Sequence, residues 1–311
     1  MRVALIYGGE GYEREVSILG LRHLFPIFNE LYDTLPIIID TEGAWYYKSE
    51  RVFPTEGGFY SARTGELYPC DLAFPLLHGD MGEDGVVQGA LRVAKIPYVG
   101  CPSTVGAVCR DKTVVKSVAR GIDIPTLPWE LIARGERPTL PLPLFIKPTS
   151  LGSSMGGAVA RSEGELESAL KAAFSLTDRV MAEPYIESKR ELECGYFATK
   201  SKELFTNPGE ILTEGFYDYE AKYKSKTKIL ATSDLDKGIR ERIKDYTRRL
   251  VRALGVRQIA RIDYFLTEGE IYFNEINTMP GFTEDSLYQK MLEASGVPVK
   301  TLIKELVAGA L

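Results

Sequence analysis

The sequence predicts an α/β protein that begins with an open parallel sheet and carries a long β-hairpin near its C-terminus. Over residues 1–100, short apolar segments alternate with segments that are amphipathic at helical spacing, a pattern typical of strands alternating with helices. Two further strand-like runs flank Glu268-Gly269 and predict the hairpin. At 311 residues, with 44 % hydrophobic and 26 % charged residues, the chain is long enough for two or three packed domains.

The first hundred residues predict strands that deliver their C-terminal ends to one edge of a sheet, where such sheets bind ligands. The predicted elements are a strand at 2–7, a helix beginning near Glu13, strands at 36–40 and 71–77, and a helix at 84–94. The turn GGEGYEREVS can be read as a dinucleotide fingerprint, but it lacks the third glycine at the required spacing. A Rossmann-type oxidoreductase therefore remains the weaker alternative.

The C-terminal hairpin predicts a metal site. Alternation along the strand at 259–266 places Arg261 and Asp263 on one face, and Glu275 and Asn277 share a face of the returning strand. Asp263, Glu275 and Asn277 then supply three oxygen donors, which suit Mg²⁺, and an adjacent arginine suits phosphoryl transfer. The alternative is that these carboxylates are solvated surface charges, the usual fate of Asp and Glu.

A glycine- and serine-rich loop in the middle of the chain predicts a phosphate site. A strand ending at Lys147 enters PTSLGSSMGG, whose amides and hydroxyls can surround an anion. A plain surface linker is the alternative. The tyrosine-rich stretch at 216–229 predicts a long loop, and helices are predicted at 236–254, 286–295 and 299–306.

Composition excludes several classes of partner. A net charge of −5 and a pI near 5.4 argue against nucleic acid. The apolar runs are too short to cross a membrane, and Met1-Arg2 leads directly into a strand, so we expect no signal peptide and a cytoplasmic protein. The 4 cysteines form no CxxC pair and predict free thiols, and 2 histidines exclude a histidine-rich metal centre.

Several signatures occur together and in one order: GGEGYEREVS, HGDMGEDGVVQG, CRDK, KPTSLGSSMGG, AEPYI, YEAKY, RIDYF and NEINTMPGFT. In this order they resemble the D-alanine–D-alanine ligases of the ATP-grasp superfamily. The resemblance implies a Rossmann-like N-terminal domain followed by a two-part ATP-grasp fold, with domains at 1–100, 101–182 and 183–311. The chain departs from the family's usual pattern at Gly11, at Arg110 in place of a methionine, and by one extra residue around 188–189.

The resemblance implies two amino-acid sites. Glu13 would hold the amino group of the first D-alanine, although it could equally complement the dipole of its helix. Val16 and His78 would lie at the first substrate, His78 near its carboxylate and the transferred phosphate, where the residue alone would more often be structural. The oxyanion would be stabilised by Arg261 and the Gly281 N–H, and the second carboxylate would be bound by Ser286 and Leu287. A hydroxyl network would join Glu13, Ser153 and Tyr223.

The resemblance also implies an ATP site and its metals. The implied nucleotide contacts are Lys112, Lys147, Ser154, Glu183, Tyr185, Ile186, Glu191 and Lys222. Two Mg²⁺ ions, with Mn²⁺ as an alternative, would be held by Asp263, Glu275 and Asn277. In isolation the lysines and the loop that carries Lys222 would be read as solvated surface.

The implied activity is ATP-dependent ligation of two D-alanines through an acyl phosphate, which supplies D-alanyl-D-alanine for peptidoglycan. The implied partners are D-alanine and ATP, and we expect a homodimer. The intact YEAKY segment predicts a dipeptide rather than a depsipeptide product. Two rivals remain open: a ligase for other amino acids or a hydroxy acid, and a nucleotide-binding regulator without catalysis.

Overall fold

The computed structural model describes residues 1–152, 155–212 and 228–311. The described strands form a 7-stranded, a 4-stranded and a 6-stranded sheet, which follow one another along the chain. Helices pack on each sheet, and the predicted α/β class is confirmed.

The N-terminal sheet is mixed rather than purely parallel. Its strands are β1 (Arg2–Gly8), β2 (Asp33–Ile39), β3 (Trp45–Tyr47), β4 (Glu50–Thr55), β5 (Gly58–Tyr60), β6 (Leu67–Pro69) and β7 (Leu72–Pro75), in the order β6-β5-β4-β3-β2-β1-β7. Only β1 pairs in parallel, with β2 and with β7. The prediction of a parallel sheet was wrong for β3 to β6, because residues 45–69 turn back through short hairpins that require antiparallel pairing.

Two helices cover this sheet on opposite faces. Helix α1 (Arg14–Leu31) buries Leu24 and Phe28 against one face, and α2 (Val86–Val93) buries Val87 and Leu91 against the other. The strand C-termini and the start of α1 therefore meet at one edge, as the sequence predicted.

The central part of the chain combines a helix pair with a small antiparallel sheet. Its elements are α3 (Ser103–Arg110), α4 (Lys112–Gly121), β8 (Glu130–Ile132), β9 (Leu144–Pro148), β10 (Ala158–Ala160), α5 (Glu163–Leu176) and β11 (Val180–Pro184). The side chain of Asp111 accepts hydrogen bonds from the Thr113 and Val114 amides and so caps α4. This cap sets Lys112 in the first turn of α4, where its amide donates to the Thr149 carbonyl just after β9.

The third sheet contains the predicted hairpin. Its elements are β12 (Arg190–Ala198), β13 (Glu203–Phe205), β14 (Gly209–Leu212), β15 (Lys228–Leu230), α6 (Lys237–Leu254), β16 (Ile259–Thr267) and β17 (Glu270–Asn277). Strands β16 and β17 pair antiparallel, with Asp263 opposite Glu275 and Arg261 opposite Asn277, which confirms the predicted hairpin.

The last two helices, α7 (Leu287–Ala294) and α8 (Val299–Ala310), return to the N-terminal sheet. Tyr288 of α7 and Leu302 of α8 are buried in one cluster with Val3 and Phe28. The segment between β17 and α7 is thereby held beside the start of α1. Strand β11 runs on to Pro184, and the predicted domain boundaries at 100 and 182 stay predictions.

Two predictions from composition can be compared with the fold. All of the cysteines, Cys70, Cys101, Cys109 and Cys194, are free and buried, which confirms the prediction of free thiols. Within residues 1–152, 155–212 and 228–311, no helix is long and apolar enough to cross a membrane.

Candidate active site

A cleft of about 1160 Å³ opens between the sheets and is lined by residues from every part of the chain. The predicted site residues that line it are Glu13, Val16, His78, Lys112, Lys147, Glu183, Tyr185, Ile186, Glu191, Arg261, Asp263, Glu275, Asn277, Gly281, Ser286 and Leu287. The remaining predicted residues, Ser153, Ser154, Lys222 and Tyr223, lie outside the described residues.

The hairpin forms a charged floor for the cleft. The Arg261 guanidinium donates two hydrogen bonds to Asp263, Nε to Oδ1 at 2.8 Å and Nη2 to Oδ2 at 2.7 Å, and its Nε lies 3.3 Å from Oε1 of Glu193. Burial lowers the pKa of Arg261, but Asp263 and Glu193 outweigh that effect and raise the pKa well above its ordinary value. Sequence reasoning missed Glu193, which lies opposite Asp263 on β12.

The same floor fits a divalent cation. Asp263 and Glu275 are opposite in register, and Nδ2 of Asn277 donates a 3.3 Å hydrogen bond to Oδ2 of Asp263. Among the described residues, no three His, Cys, Asp or Glu side chains form a group that could hold a metal ion, and the predicted set consists of two carboxylates and the Asn277 amide. Two carboxylates and an amide are hard ligands of the kind that Mg²⁺ prefers.

Lys112 connects this floor to the glycine-rich loop. Its Nζ lies 3.3 Å from Oε2 of Glu275 and donates a 2.9 Å hydrogen bond to the carbonyl of Leu151. Burial lowers the pKa of Lys112, and Glu275 partly offsets this. The Lys112 ammonium therefore contacts both the Glu275 carboxylate, a predicted metal ligand, and the backbone at the start of the glycine-rich loop.

A buried ion triad forms the wall between α4, β9 and β11. Oε2 of Glu183 lies 2.6 Å from Nζ of Lys116, and Oε1 lies 2.5 Å from Nζ of Lys147. Burial alone raises the pKa of Glu183, but the two lysines outweigh it and lower the pKa to about 2. Lys116 was not predicted, although it lies four residues after Lys112 and so shares a face of α4 with it.

The segment after β11 presents an aromatic ring to two cations. Arg161 and Lys189 lie over the ring of Tyr185, at 5.3 Å and 5.0 Å from its centroid. Nζ of Lys189 is also 3.3 Å from Oε1 of Glu191. Lys189 belongs to the stretch where this chain has its extra residue, and it brings a cation into the part of the cleft predicted to bind a ribose.

At the opposite end of the cleft, the carboxylate of Glu13 lies between two glycines. A Cβ atom on Gly79 or on Gly152 would stand 2.3 Å from Oε2 of Glu13. Glu13 is the N-cap residue of α1, yet its side chain makes no capping hydrogen bond. Its carboxylate is directed into the cleft, where it can meet a ligand, while its charge still lies at the positive end of the helix.

Arg110 binds the acidic loop beside Glu13. Its Nη1 donates to Glu83 at 3.0 Å and its Nη2 donates to Asp80 at 3.0 Å. Glu83 was predicted to cap a helix, and that was wrong: it faces Arg110 in the cleft, with Oε1 3.9 Å from Nδ1 of His78. Asp84 does shape the loop, accepting hydrogen bonds from the Met81 and Val86 amides. Arg110 therefore pairs with Glu83 and with Asp80 at once, and it neutralises charge on this acidic loop.

The turn after β17 completes this end. A Cβ atom on Gly281 would lie 2.8 Å from Oγ of Ser286 and 3.7 Å from Cε1 of His78. Oγ of Ser286 accepts a 3.0 Å hydrogen bond from the Thr283 amide. The close packing explains a glycine at 281, and it brings His78, from the first sheet, against the segment that follows the hairpin.

The ion triad predicts a pH dependence of stability. Because folding lowers the pKa of Glu183 from 4.5 to about 2, its contribution is present above pH 4.5 and is lost as the pH falls through that window. Urea unfolding of the native protein and of a Lys116→Met, Glu183→Gln double variant should show a steeper loss of unfolding free energy in the native protein between pH 5 and pH 2. Parallel pH profiles would contradict the ionised triad.

The mixed N-terminal sheet, the two antiparallel sheets and the cleft between them define an ATP-grasp fold. Models of the D-alanine–D-alanine ligase N-terminus and C-terminus match residues 2–101 and 120–308. The D-alanine–D-alanine ligase of Deinococcus radiodurans is 37 % identical over 335 residues, covering 100 % of this chain and 98 % of that protein. The chain therefore belongs to the D-alanine–D-alanine ligase family.

Solved structures agree with this assignment. D-alanyl-alanine synthetase A from Vibrio cholerae has a TM-score of 0.88 at 28 % identity, covering 100 % of this chain and 98 % of that one. The VanG D-Ala:D-Ser ligase from Enterococcus faecalis also has a TM-score of 0.88, at 30 % identity, with 100 % and 99 % coverage. An ATP complex of the Bacillus anthracis D-alanine–D-alanine ligase has a TM-score of 0.78 at 25 % identity, covering 100 % of this chain and 97 % of that one.

Proposed function

We propose that this protein joins two D-alanines to D-alanyl-D-alanine at the expense of ATP and so supplies the dipeptide for peptidoglycan. The observation that carries the proposal is the position of Glu13 in the same cleft as the hairpin floor formed by Arg261, Asp263 and Glu275. An amino-group acceptor and a phosphoryl-transfer floor in one cleft are what an amino-acid ligase needs.

In the first step, the carboxylate of the first D-alanine attacks the γ-phosphorus of ATP and yields an acyl phosphate and ADP. Glu13 would hold the ammonium of that D-alanine, and a buried ammonium requires such an anion. Lys112 and Lys147 would balance charge on the phosphates. Glu183, Tyr185, Ile186 and Glu191 would bind the adenine and ribose.

In the second step, the neutral amine of the second D-alanine attacks the acyl carbon, and phosphate leaves from a tetrahedral intermediate. Arg261 and the Gly281 N–H would stabilise the oxyanion. Ser286 and Leu287 would bind the carboxylate of the second D-alanine. Phosphorylation turns a poor leaving group into a good one, and exclusion of water protects it from hydrolysis.

Asp263, Glu275 and Asn277 would hold Mg²⁺, in our proposal two ions, with Mn²⁺ as an alternative. The metal would supply charge neutralisation on the phosphate oxygens. Around it, the fork of Arg261 keeps Asp263 in one orientation, and Lys112 does the same for Glu275.

The test is phosphate release from ATP and Mg²⁺ with D-alanine, L-alanine, D-serine or D-lactate as acceptor, with products separated by chromatography. We expect D-alanine-dependent release and D-alanyl-D-alanine as the main product. D-serine is included because the similar VanG protein is a D-Ala:D-Ser ligase. Mainly D-alanyl-D-serine or D-alanyl-D-lactate would overturn the assignment of the second site, and nucleotide binding without turnover would favour a regulator.

Gly152→Ala tests the placement of Glu13. The new methyl would stand 2.3 Å from Oε2 and 3.0 Å from Cδ of Glu13, so the carboxylate must move. We expect the KM for the first D-alanine to rise by at least about tenfold, the scale of a small misplacement at a reacting centre. Gly164→Ala is the control, since its Cβ would meet nothing within 4 Å. Equal kinetics in both variants would remove Glu13 from the first site.

A further inference from the structure

Lys116 is a wholly buried cation directly behind the wall of the cleft. Its side chain has no exposed surface, and its Nζ lies 2.6 Å from Oε2 of Glu183. Glu183 lines the cleft, whereas Lys116 is not among the lining residues. A ligand in the cleft therefore meets Glu183 directly, whereas Lys116 makes its closest contact with Glu183 and lies behind it.

The two lysines on Glu183 are placed differently. Lys147 lines the cleft, and its Nζ lies 2.5 Å from Oε1 of Glu183 and 3.4 Å from Oδ1 of Asn274, so its charge can be shared with a bound phosphate. The charge of Lys116 is out of reach of the cleft and stays with Glu183. Among the described residues, these two lysines are the charged groups that act most strongly on Glu183.

An ionised carboxylate only accepts hydrogen bonds, whereas a protonated carboxyl group also donates one. At the 6-position of a purine, adenine carries an amino group that donates, and hypoxanthine or guanine carries an oxygen that accepts. The protonation of Glu183 therefore decides which purine it favours.

We infer that Lys116 is a specificity-determining positioning residue, which keeps Glu183 an acceptor and so selects 6-amino over 6-oxo purine nucleotides. The inference rests on the proposed function, in which Glu183 meets the adenine. Burial raises the pKa of Glu183, and it is the two lysines beside it that reverse this effect. Without Lys116, the only lysine left beside Glu183 would be Lys147, whose charge is also shared with the phosphates of the nucleotide.

The test compares ATP with inosine triphosphate, which carries a 6-oxo group, as kcat/KM for D-alanine-dependent phosphate release. We expect the native protein to favour ATP by roughly 100-fold, the scale set by leaving one buried hydrogen-bonding group unsatisfied. In Lys116→Met the ratio should narrow at least about tenfold at pH 7. Lys116→Arg should restore it, and Lys304→Met, at an exposed position on α8, should leave it unchanged.

The pH profile separates this role from a merely structural one. In Lys116→Met the preference for ATP should rise with pH between 6 and 9, as Glu183 regains its charge, while the native preference stays flat. Lys116→Gln keeps a hydrogen-bond donor at that position but removes the charge, and it serves where Lys116→Met does not fold. An unchanged nucleotide ratio in these neutral variants, or a native protein that uses both nucleotides equally, would overturn the inference.

Calorimetric measurement of the binding of ADP and of inosine diphosphate (IDP) repeats the comparison of 6-amino with 6-oxo purines without D-alanine. A preference for ADP that narrows in Lys116→Gln would support the inference even if the protein released no phosphate with D-alanine, and that second result would count against the proposed reaction alone. If the variant lost affinity for ADP and IDP equally, so that the ratio of the two affinities did not change, the inferred role of Lys116 in nucleotide selection would be wrong.

Discussion

Glu275→Gln should lower turnover by at least about 100-fold while the protein stays folded, because it weakens the charge clamp on the transferred phosphate. Glu275 lies opposite Asp263 in the hairpin and 3.3 Å from Nζ of Lys112. The amide keeps the size of the side chain and one oxygen, so the loss falls on charge rather than on packing. Steady-state phosphate release over a range of Mg²⁺ concentrations is the measurement.

A matched control exists on the same strand. Glu270 begins β17 at an exposed position, so Glu270→Gln makes the same chemical change away from the cleft and should keep native turnover. Circular dichroism and thermal melting of both variants establish that they fold. Near-native turnover of Glu275→Gln at saturating Mg²⁺ would exclude Glu275 from the metal site.

Arg261→Lys should be as damaging, with turnover reduced by about 100-fold or more, the usual consequence of removing an oxyanion donor. Lysine keeps the charge, but it cannot reproduce the forked pair of hydrogen bonds to Asp263 and the contact with Glu193. The substitution therefore removes the directed hydrogen bonds of the guanidinium and keeps its positive charge beside the acidic residues of the hairpin.

The kinetic signature of this change is specific. If Arg261 acts on the oxyanion, kcat should fall while the KM for ATP changes little, since the lost interaction is made mainly in the transition state. Arg242→Lys, at an exposed position on α6, is the control and should behave as the native protein does. A variant that lost ATP affinity and kept kcat would assign Arg261 to nucleotide binding instead.

The C-terminal hairpin shows how much of the site can be predicted from the sequence alone. Alternation with a period of two places Asp263 and Arg261 on one face, and Glu268-Gly269 adopts positive φ at both positions, 51° and 82°, as a tight hairpin turn requires. The pairing of Asp263 with Glu275 does not follow from these local rules alone, because a register shift between Asp263 and Tyr264 leaves Asn274 as an extra residue in β17. The family signatures predicted the remaining candidate site residues, and all of those that the structure describes line the cleft.

The mixed character of the first sheet was not predictable in the same way. Residues 45–69 contain strand-like and turn-like stretches, but the direction of pairing depends on how strands of three to six residues meet across short turns. The position of α7 and α8 against the N-terminal sheet was also undetermined by periodicity, which marks an apolar face without naming its partner.

By itself, the sequence determined the C-terminal hairpin and the predicted residues that line the cleft, because each depends on periodicity, turn chemistry or a contiguous motif. Only the tertiary structure decided that Glu83 accepts a hydrogen bond from Arg110 instead of capping a helix, and that Lys116 pairs with Glu183, 67 residues away. The physical reason is that a buried charge requires a partner of opposite charge, and the fold can supply that partner from a distant part of the chain. Periodicity and local motifs do not show which distant residue it is.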